Sequence, residues 1–151
     1  IKRATKHVSA VGGSLAIIDK RRHSGSEVEQ AHIIGGPIEG RVAFLFDDMI
    51  STGGSICGAA KVVKEMGAKK VYVAASHGVL CGPAIERLEA APIDEVVLSD
   101  TIPLLPEHQK LKKIKMLSCS SILGETIKRI HNHESISQMY KSLRFTTGQY
   151  F

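Results

Sequence analysis

The sequence contains few cysteines and few aromatic residues. Its three cysteines, Cys57, Cys81 and Cys119, are odd in number and lack C-x-x-C spacing, so neither a disulfide framework nor a zinc site is predicted. Aromatic residues make up 5% of the chain and tryptophan is absent, which leaves few stacking platforms for single-stranded nucleic acid. We therefore expect a protein of a reducing compartment that does not bind nucleic acid.

Long apolar runs are absent as well. The longest, 42–46 and 71–75, fall far short of the ~20 residues of a membrane helix, and no secretory leader opens the sequence. No membrane partner is therefore predicted, and the cytoplasm is the expected location. With 151 residues, of which 43% are hydrophobic, the chain has the composition of one globular domain.

Positive charge, by contrast, is in excess. Twenty Lys and Arg residues against fifteen Asp and Glu residues give a net charge of +5. An anionic partner is expected, and charge alone does not choose between nucleic acid, a nucleotide and a phosphorylated metabolite. The scarcity of aromatic residues favours the two small-molecule classes.

Apolar runs and helical periodicity alternate in the middle of the chain. Strands are predicted over 41–46, 70–76 and 95–99, with helices over 56–66 and 83–90 between them. This order predicts an α/β protein with a mainly parallel sheet flanked by helices, in which the first of these strands is fully buried. Ligands of such sheets bind beyond the carboxyl ends of the strands.

Further elements are expected on either side of this unit. They are a helix over 1–11, strands over 15–18, 31–34 and 114–117, and a helix over 121–133. Ser120 or Ser121 is predicted to cap the last helix. The polar stretch 23–30 is predicted to be a mobile loop. We expect one domain over 1–140 and a tail over 141–151.

The segment after the first central strand has the composition of a sugar-phosphate site. Asp47 and Asp48 follow the apolar run, and the sequence T-G-G-S at 52–55 precedes the next helix. A phosphate there would meet backbone N–H groups, the positive end of the helix dipole and two hydroxyl donors. Ionised carboxylates accept hydrogen bonds from ribose hydroxyls. Together these groups predict a site for a ribose phosphate.

A simpler interpretation is a tight turn with a serine cap, and for T-G-G-S alone it is the better one. The paired aspartates favour a binding site, because a buried strand that ends in two carboxylates needs compensation for their charge. Two other phosphate-binding patterns are excluded. Ala59 stands where the Walker lysine would be, and G-x-G-x-x-G is absent.

Two other polar segments permit more than one interpretation. Lys20, Arg21 and Arg22 follow a predicted strand and are either cations that stabilise a transferring phosphoryl group or a solvated charge cluster. Ser135 and Ser137 either bind an anion or shape a turn. The sequence alone leaves both alternatives open.

The histidines do not predict a metal site. His131 and His133 are two residues apart on a predicted helix, so they do not share a face. His77 follows an apolar strand and is expected to be a structural histidine with a satisfied hydrogen bond.

Several segments are informative when taken together. They are AIIDKRR at 16–22, FDDMISTGGS at 46–55, SHGVLCGPA at 76–84, ILGETIKRIH at 122–131 and ESIS at 134–137. In this order they resemble the ribose-phosphate pyrophosphokinases, also called phosphoribosyl pyrophosphate synthetases. The resemblance implies a type I phosphoribosyltransferase-like fold. It also implies Mg²⁺-dependent transfer of diphosphate from ATP to ribose 5-phosphate, giving 5-phosphoribosyl 1-diphosphate and AMP.

The same resemblance implies roles for individual residues. Lys20 matches a catalytic lysine that stabilises the transferring group, and Arg22 matches its basic companion. The implied ribose 5-phosphate site comprises Arg22, Asp47, Asp48, Ser51, Thr52, Gly53, Gly54 and Ser55. The two aspartates match the pair that holds the ribose hydroxyls, and the residues from Ser51 onward match the loop around the 5-phosphate. Ser135 and Ser137 match a segment of an allosteric phosphate or ADP site.

The sequence departs from the family pattern in two ways. Ser51 stands where aspartate is common, so this position can hydrogen-bond but brings no charge. The resemblance covers only the C-terminal half of the family. We therefore expect a fragment of a homo-oligomeric synthetase that binds ribose 5-phosphate weakly and does not use ATP efficiently alone. Mg²⁺ is expected to be held mainly through the substrates and the other half, and no metal ligand is assigned in this chain.

Three alternatives of other classes remain open. One is a non-catalytic, synthetase-associated regulatory subunit, which the retained Lys20, Arg22, Asp47 and Asp48 disfavour. Another is a phosphoribosyltransferase that consumes the diphosphate sugar, which the segments at 20–22 and 76–84 disfavour. The third is a basic nucleic-acid-binding module, which would show a steep salt dependence of binding.

Overall fold

A computed structural model describes Val8, residues 12–20 and residues 31–140. The chain divides into two compact units, one of which is Ala16–Ser118, while the other combines the residues before and after it. The predictions that fall on the loop 23–30, on the tail 141–151 and on all of the helix 1–11 except Val8 lie outside the described residues. The predicted domain of 1–140 stays a prediction.

The Ala16–Ser118 unit begins with two short strands. β1 (Ala16–Lys20) and β2 (Ala31–Gly35) pair in antiparallel fashion, with Ala16 opposite Gly35 and Lys20 opposite Ala31. They form a two-stranded sheet of their own.

The main sheet of this unit has four strands in the order β3-β4-β5-β6, and every neighbouring pair is parallel. Its elements are β3 (Val42–Ile50), α1 (Gly54–Glu65), β4 (Lys70–Gly78), α2 (Ala84–Ala90), β5 (Glu95–Ser99), a short 3₁₀ helix (His108–Lys110) and β6 (Ile114–Leu117). Parallel neighbours need a crossover, and α1 and α2 supply the first two. The prediction of an α/β protein with a mainly parallel sheet flanked by helices is confirmed.

The hydrophobic core draws on the sheet and on α1 and α2. Alternate residues of β4 and β5 are buried in it, since side chains of a strand alternate between its faces. The core includes Val71, Val73, Val96 and Leu98 from the sheet, Ile56, Cys57, Ala60 and Val63 from α1, and Ala84 and Leu88 from α2. The helical members recur at a spacing of about one turn, as expected for a helix with one apolar face.

β3 differs from the predicted buried strand in length and in burial. It continues to Ile50 instead of ending at residue 46, so both aspartates lie within it. Val42, Phe44 and Phe46 are exposed, Phe44 to 60%, because β3 is an edge strand of the described sheet and these residues alternate with the core-facing ones. The prediction of a fully buried strand is therefore wrong.

Other boundaries differ from the predictions by a few residues. α1 begins at Gly54 rather than residue 56, β4 extends to Gly78, and Pro83 is the N-cap of α2 instead of its first residue. Gly67 follows the end of α1 with a φ of 86°, the left-handed conformation that is common just after a helix C-terminus.

The other unit contains α3 (Ser120–His131). This helix begins one residue earlier than predicted, so Cys119 occupies the N-cap position and no side chain caps the helix. The prediction that Ser120 or Ser121 is the cap is therefore wrong. Among the described residues, no helix is long and apolar enough to cross a membrane.

Candidate functional site

The predicted phosphate loop connects β3 to α1 at the carboxyl edge of the sheet. Gly53 is the N-cap of α1 with a φ of 74°, a conformation that glycine adopts without strain. No side chain caps the helix, and the first helical bond runs from the N–H of Cys57 to the carbonyl oxygen of Gly53 at 3.0 Å. The N–H groups of Gly54, Ser55 and Ile56 therefore have no partner inside the helix. These donors and the positive helix end suit an anion.

The segment between β4 and α2 holds this loop in place. The three consecutive carbonyl oxygens of 50–52 accept hydrogen bonds from the N–H of Leu80 at 3.0 Å, the N–H of Cys81 at 3.1 Å and Nη1 of Arg87 at 3.0 Å. A Cβ built on Gly53 would lie 3.6 Å from the carbonyl oxygen of Ala84, so the start of α2 packs closely on the loop. The loop is thus fixed by residues about 30 positions further along the chain.

The two aspartates are exposed rather than buried, which corrects one step of the sequence argument. Both side chains are exposed, and the N–H of Asp48 donates to Oδ1 of Asp47 at 2.8 Å. Because neither carboxylate is buried, no buried charge needs compensation here. Their suitability for a sugar rests instead on their position, since both lie at the end of β3 just before the phosphate loop.

Polar side chains at the ends of β4 and β5 hydrogen-bond to one another. Nδ1 of His77 lies 2.9 Å from Oγ1 of Thr101, and the Thr101 hydroxyl donates to the carbonyl oxygen of Ser76 at 2.9 Å. His77 therefore has the satisfied hydrogen bond expected of a structural histidine.

The basic cluster is described only in part. The backbone of Lys20 ends β1, but its side chain, together with Arg21 and Arg22, lies outside the described residues. The catalytic roles of Lys20 and Arg22 stay predictions.

The predicted allosteric segment lies in the unit that contains α3. Ser135 and Ser137 are exposed, and residues 136–140 are helical. The guanidinium of Arg129 donates to Oε1 of Glu125 at 2.7 Å and to the carbonyl oxygen of Ser135 at 3.1 Å. This contact ties the segment to α3, while anion binding by the two serines stays a prediction.

Sequence reasoning missed the residues that anchor the phosphate loop. Residues 78–82 entered the sequence analysis through the family resemblance alone. A single arginine on a short predicted helix, such as Arg87, is ordinary in any amphipathic pattern. Two cysteines also adjoin the loop. Sγ of Cys81 lies 3.2 Å from Oγ of Ser51. Burial raises the pKa of the Cys57 thiol, and the positive charges of Lys61, Arg87 and Lys113 offset part of that rise.

Fold and loop geometry define the class: an α/β protein with a loop suited to anions at the carboxyl edge of a parallel sheet. Residues 24–141 match the family model of the phosphoribosyl synthetase-associated domain, and the chain belongs to this family. The type I phosphoribosyltransferase-like fold and the resemblance to the synthetases are confirmed by the relatives that follow.

The chain is 57% identical over 141 residues to a ribose-phosphate pyrophosphokinase of Rhodopirellula baltica, which covers 93% of this chain and 44% of the relative. It is 45% identical over 140 residues to a ribose-phosphate pyrophosphokinase of Bordetella pertussis, with coverages of 93% and 45%. A crystal structure of phosphoribosylpyrophosphate synthetase from Mycobacterium smegmatis superposes with a TM-score of 0.78 at 34% identity, covering 88% of this chain and 42% of that one. The chain thus spans less than half the length of these relatives.

Proposed function

We propose that this chain is the ribose 5-phosphate-binding half of a ribose-phosphate diphosphokinase. The whole protein would transfer diphosphate from ATP to ribose 5-phosphate and release AMP. The observation that carries this proposal is the uncapped helix start at Gly53, which lies a few residues after two exposed aspartates on one continuous segment. One end of that segment suits a phosphate and the other suits a ribose diol. The printed names of the relatives support the reaction.

Different groups of the site would bind different parts of ribose 5-phosphate. The N–H groups of Gly54 and Ser55, with the loop hydroxyls, hydrogen-bond the 5-phosphate. The carboxylates of Asp47 and Asp48 accept hydrogen bonds from the ribose hydroxyls and so orient the anomeric oxygen. Lys20 and Arg22 would stabilise charge on the diphosphoryl group as it transfers.

Mg²⁺ is the cofactor that we propose. Among the described residues no three His, Cys, Asp or Glu side chains lie close enough together to hold a metal ion. Asp47 and Asp48 nevertheless offer the carboxylate oxygens that Mg²⁺ prefers, and this ion is commonly bound by one or two carboxylates together with substrate phosphates. When bound, it neutralises charge on the phosphates. The donor set thus fits an ion held mainly through the substrates.

The wider context follows from the same proposal. We place the chain in the C-terminal half of a cytoplasmic homo-oligomer that serves nucleotide biosynthesis, with residues 1–140 as its phosphoribosyltransferase-like domain. The remaining half would supply most contacts to ATP. The isolated chain would therefore bind ribose 5-phosphate weakly and turn over little ATP.

Phosphorus NMR of the purified chain tests this proposal. Addition of ribose 5-phosphate with Mg²⁺ is expected to shift or broaden the sugar-phosphate resonance, and Asp47→Ala is expected to reverse that change. Glu65→Gln is a matched control, because Glu65 is an exposed acid at the far end of α1. Addition of ATP is expected to produce no AMP.

Two results would contradict parts of this expectation. An unchanged sugar-phosphate resonance with folded wild-type chain would overturn the proposed binding function. Efficient formation of AMP would show that the chain is catalytic alone and that the other half of the protein is not needed for the reaction.

A further inference from the structure

Arg87 lies beside the phosphate loop, yet neither the sequence patterns nor the family resemblance gives it a role. Its Nη1 atom donates to the carbonyl oxygen of Thr52 at 3.0 Å. A Cβ built on Gly54 would lie 3.4 Å from the same nitrogen. The guanidinium is therefore adjacent both to the middle of the loop and to the first residue of α1.

The three anchored carbonyl groups fix the direction of the N–H groups that follow them. In a trans peptide the C=O of one residue and the N–H of the next point in opposite directions. Holding the carbonyl groups of 50–52 against the segment that contains Leu80, Cys81 and Arg87 thus turns the N–H groups of 51–53 away from that segment. Successive N–H groups that point to one side form a concave anion site.

The third of these anchors differs from the other two. Leu80 and Cys81 use backbone N–H groups, whereas Arg87 uses a charged side chain that is exposed at the surface. A neutral group would be enough to hold one carbonyl oxygen. A guanidinium adds a full positive charge next to Gly54. Because the attraction between charges grows as they come closer, this charge strengthens the binding of an anion at the first N–H groups of α1.

We propose that Arg87 is a positioning residue of the phosphate loop, which makes this site selective for a phosphorylated ligand over the uncharged sugar. It fixes the peptide between Thr52 and Gly53 and places a cation behind the donors of α1. The inference rests on the proposed function, since it takes the loop to be the site of the 5-phosphate.

A purely structural role is the competing explanation, because Arg87 also joins α2 to the loop. Lys113 provides the matched control for that role. Its Nζ donates to the carbonyl oxygens of Glu89 at 2.9 Å and Ala91 at 3.0 Å, so this cation braces the C-terminal end of α2. Loss of Lys113 is expected to destabilise α2 while leaving the hydrogen bond from Arg87 to the Thr52 carbonyl oxygen in place.

The test compares Arg87→Met, Arg87→Lys and Lys113→Met with the wild-type chain. Calorimetric titration gives the dissociation constants for ribose 5-phosphate, inorganic phosphate and unphosphorylated ribose, and thermal melting followed by circular dichroism monitors folding. Arg87→Met is expected to weaken both phosphate ligands by about tenfold or more, the size of a charge-assisted hydrogen bond, and to leave ribose unchanged. Arg87→Lys is expected to recover part of the loss, since it keeps the charge. Lys113→Met is expected to lower the melting temperature with wild-type ligand selectivity.

The inference is overturned if Arg87→Met binds phosphate ligands like wild type, or if Lys113→Met loses phosphate binding to the same extent. Equal losses of affinity for ribose and ribose 5-phosphate in Arg87→Met would also overturn it, because they would show that Arg87 has only a structural role. Failure of the proposed function is a separate result. Wild-type chain that binds neither ribose 5-phosphate nor inorganic phosphate would refute the proposed function and with it the inference, whereas wild-type binding of ribose 5-phosphate that Arg87→Met leaves unchanged would refute the inference alone.

Discussion

Two cysteines on either side of the phosphate loop differ in environment. Cys81 is exposed with its Sγ beside the Ser51 hydroxyl, whereas Cys57 is buried in the core below Gly53. Burial raises the pKa of the Cys57 thiol above its ordinary value, so the protonated form is favoured at neutral pH. The thiolate is the species that reacts with alkylating agents. The loop therefore has one accessible and one protected sulfur.

We predict that iodoacetamide at about pH 8 alkylates Cys81 well before Cys57. Ribose 5-phosphate is expected to slow the reaction at Cys81, since the sulfur adjoins the Ser51 side chain of the proposed phosphate site. Peptide mapping by mass spectrometry at several times and pH values measures both rates. Cys57 is expected to react much more slowly than Cys81 across this pH range, because its thiol is buried and burial raises the pKa of that thiol. Earlier modification of Cys57 would show that the core around α1 opens.

At the scale of elements, α2 supports the site because it packs into the core with one face and carries Arg87 on another. Leu88 on this helix is 0% exposed, whereas Leu105, before the 3₁₀ helix, is 51% exposed. Leu88→Ala is expected to lower the free energy of unfolding by about 2–5 kcal/mol, and Leu105→Ala by less than about 1 kcal/mol. Urea denaturation of both variants measures the difference. Similar losses for the two leucines would mean that α2 is not part of a cooperative core.

The elements also show what the sequence can predict. The strands and helices from β3 to β5 were predicted in order, because apolar periodicity depends on residues that are close in the chain. The exposure of Phe44 was not, because burial of a strand depends on which other segment covers it. The anchors of the phosphate loop were missed for a similar reason. Arg87 reaches Thr52 across 35 residues, and no local pattern encodes such a contact.

For the molecule as a whole, the exposed phenylalanine rings of β3 and the half-buried ring of Tyr72 on β4 form an apolar patch. The Phe44 ring stacks on Tyr72 at a centroid distance of 5.3 Å and on Phe46 at 6.4 Å. Phe44 and Tyr72 are also register partners across the two strands. Contiguous exposed apolar surface of this kind binds hydrophobic dyes and promotes association.

We predict that the wild-type chain binds the dye anilinonaphthalene sulfonate and that the double variant Phe44→Ser, Phe46→Ser binds it much less. Leu105→Ser is the control, because Leu105 is an exposed apolar residue outside the stacked cluster. Dye fluorescence and sedimentation velocity at several protein concentrations report on dye binding and association. Equal fluorescence from the double variant would place the dye-binding surface elsewhere.

The residues that anchor the phosphate loop are synthesised after the loop itself, so the loop cannot fold as soon as it has been made. Cys81 follows its partner Ser51 by 30 residues, and Arg87 follows Thr52 by 35. At synthesis rates of about 5–20 residues per second, the loop leaves the ribosome roughly two to seven seconds before its supports are complete. During this interval the apolar strand before the loop has no parallel neighbour on its β4 side. The proposed anion site of the nascent chain is therefore expected to take its folded conformation only after α2 has been synthesised.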